Sequence, residues 1–426
     1  MNKKIKLCTL GCKVNQYESQ AIRESFIKKG FNETANGKAD IYIINTCTVT
    51  QTADRKSREY IYRCRRENPK ATLVVTGCYA QDDLDRIEQI PGVDFIISNS
   101  LKNRIADIVI RDDEKTILPE GKYQDCEISD FADRSKAFIK IQDGCDNRCS
   151  YCKVSLVRGP SRSRDLSSII REAGRLIDNG FQEIVLTGIC LGAYGRDLKR
   201  NVDLLKVIEE IEGLDGDFRI RLSSIEARDV TDKLISKIAN SPRMCRHLHI
   251  PFQSGDDEVL KLMDRKYSAR YYKELVGKIR KSIPEIAITT DIMVGFPHET
   301  ERRFQNTFEF LKDISPSRMH IFPYSPRQGT AAFSLPKVEE WQVKKRLNLL
   351  RNLAREKSFE YRNQFLNKEL IVLIEASLDR KTGLAKGYCD NYIKILIENK
   401  KSLKRNNLQK AKIIKVTPES TFAESS

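Results

Sequence analysis

Residues 144–152 read "GCDNRCSYC" and carry Cys145, Cys149 and Cys152 at C-x3-C-x2-C spacing. A disulfide uses two thiols, and a closed zinc or iron–sulfur site uses four ligands. Three thiolates at this spacing suit three irons of a [4Fe–4S] cluster and leave the fourth iron open to a substrate atom. An open position is what separates catalytic metal sites from structural ones. The competing reading is a structural zinc site completed by a distant His or Cys. Only four histidines exist, His247, His249, His298 and His320, and the spacing is not the C-x2-C of a zinc knuckle.

Working outward, the loop follows "FIKI" (138–141), the first of six apolar runs of strand length. The others are "EIVLT" (183–187), "RIRLS" (219–223), "HLHI" (247–250), "AITTDIMV" (287–294) and "MHIF" (319–322). Helical patterns such as 167–179 and 201–213 separate them. Six strand–helix units predict an α/β fold, a partial (β/α)6 barrel with its functional residues at the carboxyl-terminal mouth.

The first hundred residues alternate in the same way. Strands are expected at 4–10, 40–46, 71–77 and 93–98, with a helix over 16–29 capped by Asn15 and ended by Gly30. Strands separated by helices predict a parallel sheet. Cys12 in "TLGC", Cys47 in "INTC" and Cys78 in "VTGC" each follow a strand. Such strand ends share one edge of a parallel sheet, so the three thiols are expected to converge as a second three-ligand cluster site beside Gly11, Asn45 and Gly77. Taken singly, each would more readily be a buried structural cysteine. Cys8, Cys64, Cys126, Cys190, Cys245 and Cys389 lack the pattern and read as core thiols.

Residues 101–135 are charged and aperiodic, a connector with one helix and a hairpin. Residues 339–363 form a basic helix, and 364–426 read as a small β-barrel. The expected division is 1–115, 116–135, 136–363 and 364–426. With 75 Lys and Arg against 59 acids, the net charge of +16 calls for a polyanionic partner, most often nucleic acid. No apolar run reaches the length of a signal peptide or a membrane span. A cytoplasmic protein with reduced thiols is expected.

Tyr151 ahead of the last cysteine completes a motif that resembles that of the radical S-adenosylmethionine enzymes. The resemblance implies that the open iron chelates S-adenosylmethionine, whose reductive cleavage yields a 5′-deoxyadenosyl radical. Four further stretches are similar to that family's cofactor-contacting motifs, each at an expected strand end: "TGICLG" (187–192) with Gly188, "SSIE" (223–226) with Glu226 toward the ribose, "HIPFQSG" (249–255) with Gln253, and "DIMVGFP" (291–297) with Gly295 beside adenine. With the cysteine-bearing N-terminal domain and a terminal piece that looks like an RNA-binding TRAM barrel, nearly the whole chain resembles the methylthiotransferases. Branches of that family act on threonylcarbamoylated or isopentenylated adenosine 37 of tRNA, or on a ribosomal-protein aspartate. "TLGCKVNQYES" (9–19) resembles the threonylcarbamoyl branch, where the others read closer to GCQMN and GCPKN. Val154-Ser155 and His298 depart from the family's usual Ile-Pro and Gly.

The resemblance thus implies methylthiolation at adenine C2, an unactivated carbon that polar acid–base catalysis has little means to attack. It implies two [4Fe–4S] clusters, the auxiliary one on Cys12, Cys47 and Cys78, facing each other across one cavity. It further implies an electron donor such as flavodoxin or ferredoxin, a sulfur donor, and no membrane. The anticodon loop of tRNA would be held by the basic helix and by "KKSLKRNNLQKAK" (400–412).

Overall fold

The β-branched runs ahead of the N-terminal cysteines form strands. In the computed structural model, which describes residues 3–111, 116–117, 126–132, 134–199, 202–397 and 406–425, Lys4–Thr9, Ile41–Thr46, Thr72–Gly77 and Phe95–Ile97 lie side by side. Two short strands extend this sheet, Asn32–Glu33 beyond Lys4–Thr9 and Thr116–Ile117 beyond Phe95–Ile97, and every pairing is parallel. Ile41–Thr46 is buried along its whole length, as a central strand covered on both faces must be. One face packs Tyr42, Ile44, Leu73 and Val75 against Ile61 and Cys64 of the helix Gln51–Glu67. The other packs Ile41, Ile43 and Val74 against Ile22 and Phe26 of the helix Lys13–Lys28.

That first helix starts at Lys13, not at residue 16, and Cys12 rather than Asn15 occupies its N-cap position. Asn15 does other work: its amide donates to Leu10 O at 2.8 Å and to Thr46 O at 2.9 Å, tying the helix to two strand ends. In the connector, Asn99–Arg104 is a 3-10 turn leading into the helix Ile105–Arg111. The hairpin expected there falls largely outside the described residues.

The chain divides into two units. One comprises 1–132, 143–164 and 325–333, and so contains both cysteine triplets; the other comprises 133–142, 165–324 and 334–426.

In the second unit all six expected strands form. Ala137–Lys140, Glu183–Thr187 and Arg219–Leu222 make one parallel sheet, and His247–His249, Ala287–Val294 and Arg318–Pro323 another. Single bridges Ile220↔Met244 and Ser224↔His249 join them into one arc. The intervening helices start on Asp165, Asp203, Thr231, Asp256, Ser268 and Thr300, each accepting the N–H three residues on. Each such cap contributes about 0.5–2 kcal/mol. His298 has φ +63°, in the region where glycine is favoured.

The helix Glu340–Asn363 leads to a closed five-stranded barrel made of Glu369–Ile374, Ala385–Cys389, Lys394–Ile397, Leu408–Val416 and Thr421–Ser425. Of the basic run 400–412, residues 400–405 lie outside the described residues; Lys410 and Lys412 point outward from a strand. This small barrel is fastened to the start of the larger one by buried charge. Glu183, with no exposed surface, accepts from Arg219 at 2.7 Å and from Arg221 at 2.8 Å. The same guanidiniums donate onward to Tyr388 O at 2.8 Å, Cys389 O at 2.9 Å and Asp390 O at 2.7 Å.

Arg221→Met removes one of the two cations that hold buried Glu183 and leaves the Cys389 and Asp390 carbonyls without their donor, so unfolding should become easier by about 3–5 kcal/mol, read by denaturant titration. His298→Gly should do the opposite, raising stability by about 1 kcal/mol as the left-handed backbone is relieved.

Candidate active site

The cysteine loop is shaped by its backbone. Cys145 N–H donates to Gly159 O at 3.1 Å, and Cys152 N–H to Cys149 O at 3.0 Å, closing a turn on the last two cysteines. Gly144 sits at φ +70°, and a Cβ there would lie 1.9 Å from Pro160 O, so only glycine fits. Cys145, Cys149 and Cys152 are half-buried and line a concavity of about 490 Å³ with Asn147, Arg148 and Thr330. Tyr151 is half-buried beside them.

At the sheet edge the register pairs Thr9 with Asn45 and Thr46 with Gly77, so three strands end level. Cys12 as a residue is exposed, while Cys47 and Cys78 are buried. A Cβ on Gly11 would stand 3.0 Å from Cys47 Sγ, and one on Gly77 would strike the Thr46 backbone, so both glycines permit the close approach. Burial pushes the Cys12 and Cys47 thiols up, Cys47 to about 12, and the Cys78 charge pushes the same way; Arg158 pulls both down. The three cysteines thus each follow a strand that ends level with the others at one sheet edge.

Arg158 belongs to the cysteine-loop segment, on the short helix Val154–Arg158. Its side chain is 1% exposed and its donors reach Glu18 and Asp143 at 2.9 Å each and Asn15 Oδ1 at 2.6 Å. Glu18 also takes Lys102 at 2.5 Å. A second buried group centres on Asp82, four residues past Cys78. It pairs with Lys153, next to Cys152, accepts from Thr48, next to Cys47, at 2.9 Å, and meets Arg327 at 3.3 Å. Arg327 continues to Asp54 at 2.7 Å. Within this unit, each triplet is thus bound to the other through two buried ion networks. Sequence reading missed Arg158, Asp82 and Arg327; the one local signal was a lone arginine closing the apolar run "VSLVR".

The motif residues of the second unit have their own partners. Glu226 is held by Arg265 at 2.6 Å and by Tyr267. Gln253 is 7% exposed with φ +67°, and among the described residues its Oε1, like Ser223 Oγ, is buried with no hydrogen-bond partner. A Cβ on Gly188 would lie 2.9 Å from Gln142 Oε1, which accepts the Cys190 N–H. One on Gly295, at φ +75°, would lie 2.5 Å from Val343 Cγ2, so packing alone already demands glycine there.

Comparison with known proteins gives this geometry a family. The Radical SAM superfamily matches residues 139–311, and Uncharacterized protein family UPF0004 matches residues 4–98. The threonylcarbamoyladenosine tRNA methylthiotransferase MtaB of Bacillus subtilis (strain 168) is 39% identical over 420 residues, 96% of this chain and 93% of that protein. The chain belongs to the methylthiotransferase family. The MtaB of Thermotoga maritima is 40% identical over 400 residues, covering 92% and 91% of the two chains. A tRNA-2-methylthio-N(6)-dimethylallyladenosine synthase of Desulfitobacterium hafniense is 32% identical over 403 residues, covering 91% and 90%. Among solved structures, the radical S-adenosylmethionine methyltransferase TsrM from Kitasatospora setae shares the fold, with a TM-score of 0.54 at 14% identity over 78% of this chain and 74% of that one.

The methylthiotransferase uses S-adenosylmethionine and two [4Fe–4S] clusters. Its residues suit these groups: two sets of three thiols answer the cluster's need for soft ligands, and the unpartnered buried oxygens of Gln253 and Ser223 suit a polar ligand. Among the described residues no three His, Cys, Asp or Glu gather as donors to one metal ion; a polynuclear cluster spreads its ligands over separate irons. Arg158→Met takes the buried guanidinium away from Asp143, Asn15 and Glu18, leaving Lys102 as the remaining cation beside Glu18, so unfolding should ease by about 3–5 kcal/mol. Arg158→Lys should recover part of that in the same denaturant titration, because a point charge lacks the guanidinium fork.

Proposed function

We propose that this methylthiotransferase places a methylthio group on C2 of N6-threonylcarbamoyladenosine at position 37 of tRNA, beside the anticodon. The observation that carries the reading is the pair of thiol triplets bound into one unit by Arg158 and Asp82. Identity of 39 and 40% with two proteins named for threonylcarbamoyladenosine, against 32% with one named for dimethylallyladenosine, supports that substrate.

Cys145, Cys149 and Cys152 are the ligands we assign to the cluster that binds S-adenosylmethionine, and Cys12, Cys47 and Cys78 those of the auxiliary cluster. These groups supply the one-electron chemistry and the sulfur that adenine C2 requires. The protein's part is to hold and orient. Glu226, fixed by Arg265 and Tyr267, would bond the ribose, Gln253 would offer its oxygen, Gly188 and Gly295 would let the backbone approach, and Tyr151 in the cysteine loop would contact the cofactor. In this reading residues 1–115 carry the auxiliary site, 116–135 connect, 136–363 form the catalytic barrel with its trailing basic helix, and 364–426 grip tRNA through their basic surface. A base in a single-stranded loop can be splayed out without melting a duplex. An electron donor such as flavodoxin or ferredoxin and a sulfur donor complete the cycle, in the cytoplasm. Among the described residues no helix is long and apolar enough to cross a membrane.

The test is expression in a bacterium lacking its own methylthiotransferases, with total tRNA digested to nucleosides for mass spectrometry. Methylthio-threonylcarbamoyladenosine is expected, and Cys145→Ala or Cys12→Ala should each abolish it while halving the iron bound per chain. A methylthio-isopentenyl product would overturn the substrate assignment, and unchanged iron in either variant would overturn the ligand assignment.

A further inference from the structure

Three of the four histidines in the chain share one hydrogen-bonded row across neighbouring strands of the larger barrel. His247 Nε2 and His249 Nδ1 both meet Thr289 Oγ1, at 3.0 and 2.9 Å. His249 Nε2 then lies 3.2 Å from one oxygen of Asp291, and His320 Nδ1 lies 3.2 Å from the other. The row runs from a closed end to an open one. His247 is buried and stacks on Tyr392 at 4.6 Å, whereas the His320 side chain is 73% exposed. Burial pushes the Asp291 carboxyl up, but the two imidazoles outweigh it and hold the group well below the usual carboxylate range. Asp291 in turn raises His320. Its negative charge is therefore already engaged.

The register pairs Asp291 with His320 and Thr289 with Arg318, so Arg318 and His320 share a face, while Met319 between them is buried on the other. Arg318 borders a cavity of about 270 Å³ with Thr289, Ser317, Asn391, Tyr392 and Lys394. The other charges on that wall are spoken for. Lys394 is paired with Asp379 at 2.6 Å, and Arg362 donates to Thr421 and Pro418 O while facing Glu419. Among the described residues Arg318 makes no ion pair and no side-chain hydrogen bond, and it is exposed.

The substrates named for the relatives differ by one kind of chemistry. A threonylcarbamoyl group carries a carboxylate, a hydroxyl and amide N–H groups, whereas a dimethylallyl group is bare hydrocarbon. A site built to pair a charged substituent rejects an analogue that lacks it, because its own polar groups are then left unpaired. We propose that Arg318, with His320 beside it, receives the carboxylate of the N6-threonylcarbamoyl substituent, and that Thr289 and Asn391 in the adjoining cavity meet its hydroxyl and carbamoyl groups. The guanidinium fork matches a carboxylate in two parallel hydrogen bonds. The assignment rests on the substrate reading above and says which residues enforce it.

Binding, not turnover, tests it. The full cluster-loaded chain is titrated with three fluorescent anticodon stem-loops that carry threonylcarbamoyladenosine, unmodified adenosine or isopentenyladenosine at position 37. The unaltered enzyme should prefer the first. Arg318→Met and His320→Ala should each weaken that stem-loop by about tenfold or more and leave the unmodified one unchanged, and Arg318→Lys should recover part of the loss. Arg318 is exposed, so its variants should melt at the temperature of the unaltered chain. Variants that keep the full preference, or that weaken all three stem-loops equally, overturn this assignment alone. An unaltered enzyme that prefers the isopentenyl stem-loop overturns the substrate reading beneath it.

Discussion

A guanidinium removed from water has to be matched by anions and acceptors, and much of the first unit is arranged around meeting that demand at Arg158. Removing a cation from water costs several kcal/mol before any pairing is counted. Glu18, Asp143 and Asn15 supply the partners, and they come from the first helix and from the residue pair that opens the cysteine loop. The geometry that satisfies one side chain therefore fixes the loop against the sheet edge. The same charge acts on Cys12 and Cys47, so a residue that follows one triplet in sequence sets the electrostatics of the other.

Buried charge is used the same way in the second unit. Glu183 with Arg219 and Arg221 gathers carbonyls from the small barrel onto the first residues of the larger barrel's strands. Hydrophobic surface alone is non-directional and would allow many dockings. Guanidinium forks that must each find a carbonyl allow few. The small barrel is accordingly part of the scaffold and not a loosely tethered appendage.

Most of the architecture was legible because its signals are local. Runs such as "AITTDIMV" and "EIVLT" name their strands by composition, and strand-end cysteines at equivalent positions announce a shared edge before any contact is known. Helix starts were less legible. Asn15 has the look of a cap, but its amide was taken by Leu10 and Thr46, partners supplied by tertiary structure. The short strands Asn32–Glu33 and Thr116–Ile117 carry no period, being too brief to show one. At the site, the cysteines and their glycines were visible, whereas Arg158, Asp82 and Arg327 were not. An ion pair between residues 18 and 158 leaves no trace in spacing, and only the fold brings the two together.

The first unit is assembled from three stretches of chain, and this affects how the protein is made. Residues 1–132 emerge from the ribosome first, yet Arg158 and Arg327, which pair with Glu18, Asp54 and Asp82, are synthesised later. At about 5–20 residues per second, residue 333 follows residue 132 by roughly 10–40 s. During that interval the sheet can form and Lys102 can reach Glu18, but Asp54 and Asp82 lack Arg327, Glu18 lacks Arg158, and the thiols stand at an unfinished edge. Completion of the N-terminal unit is thus a late event in synthesis, which ties the readiness of the first cysteine triplet to the arrival of the second.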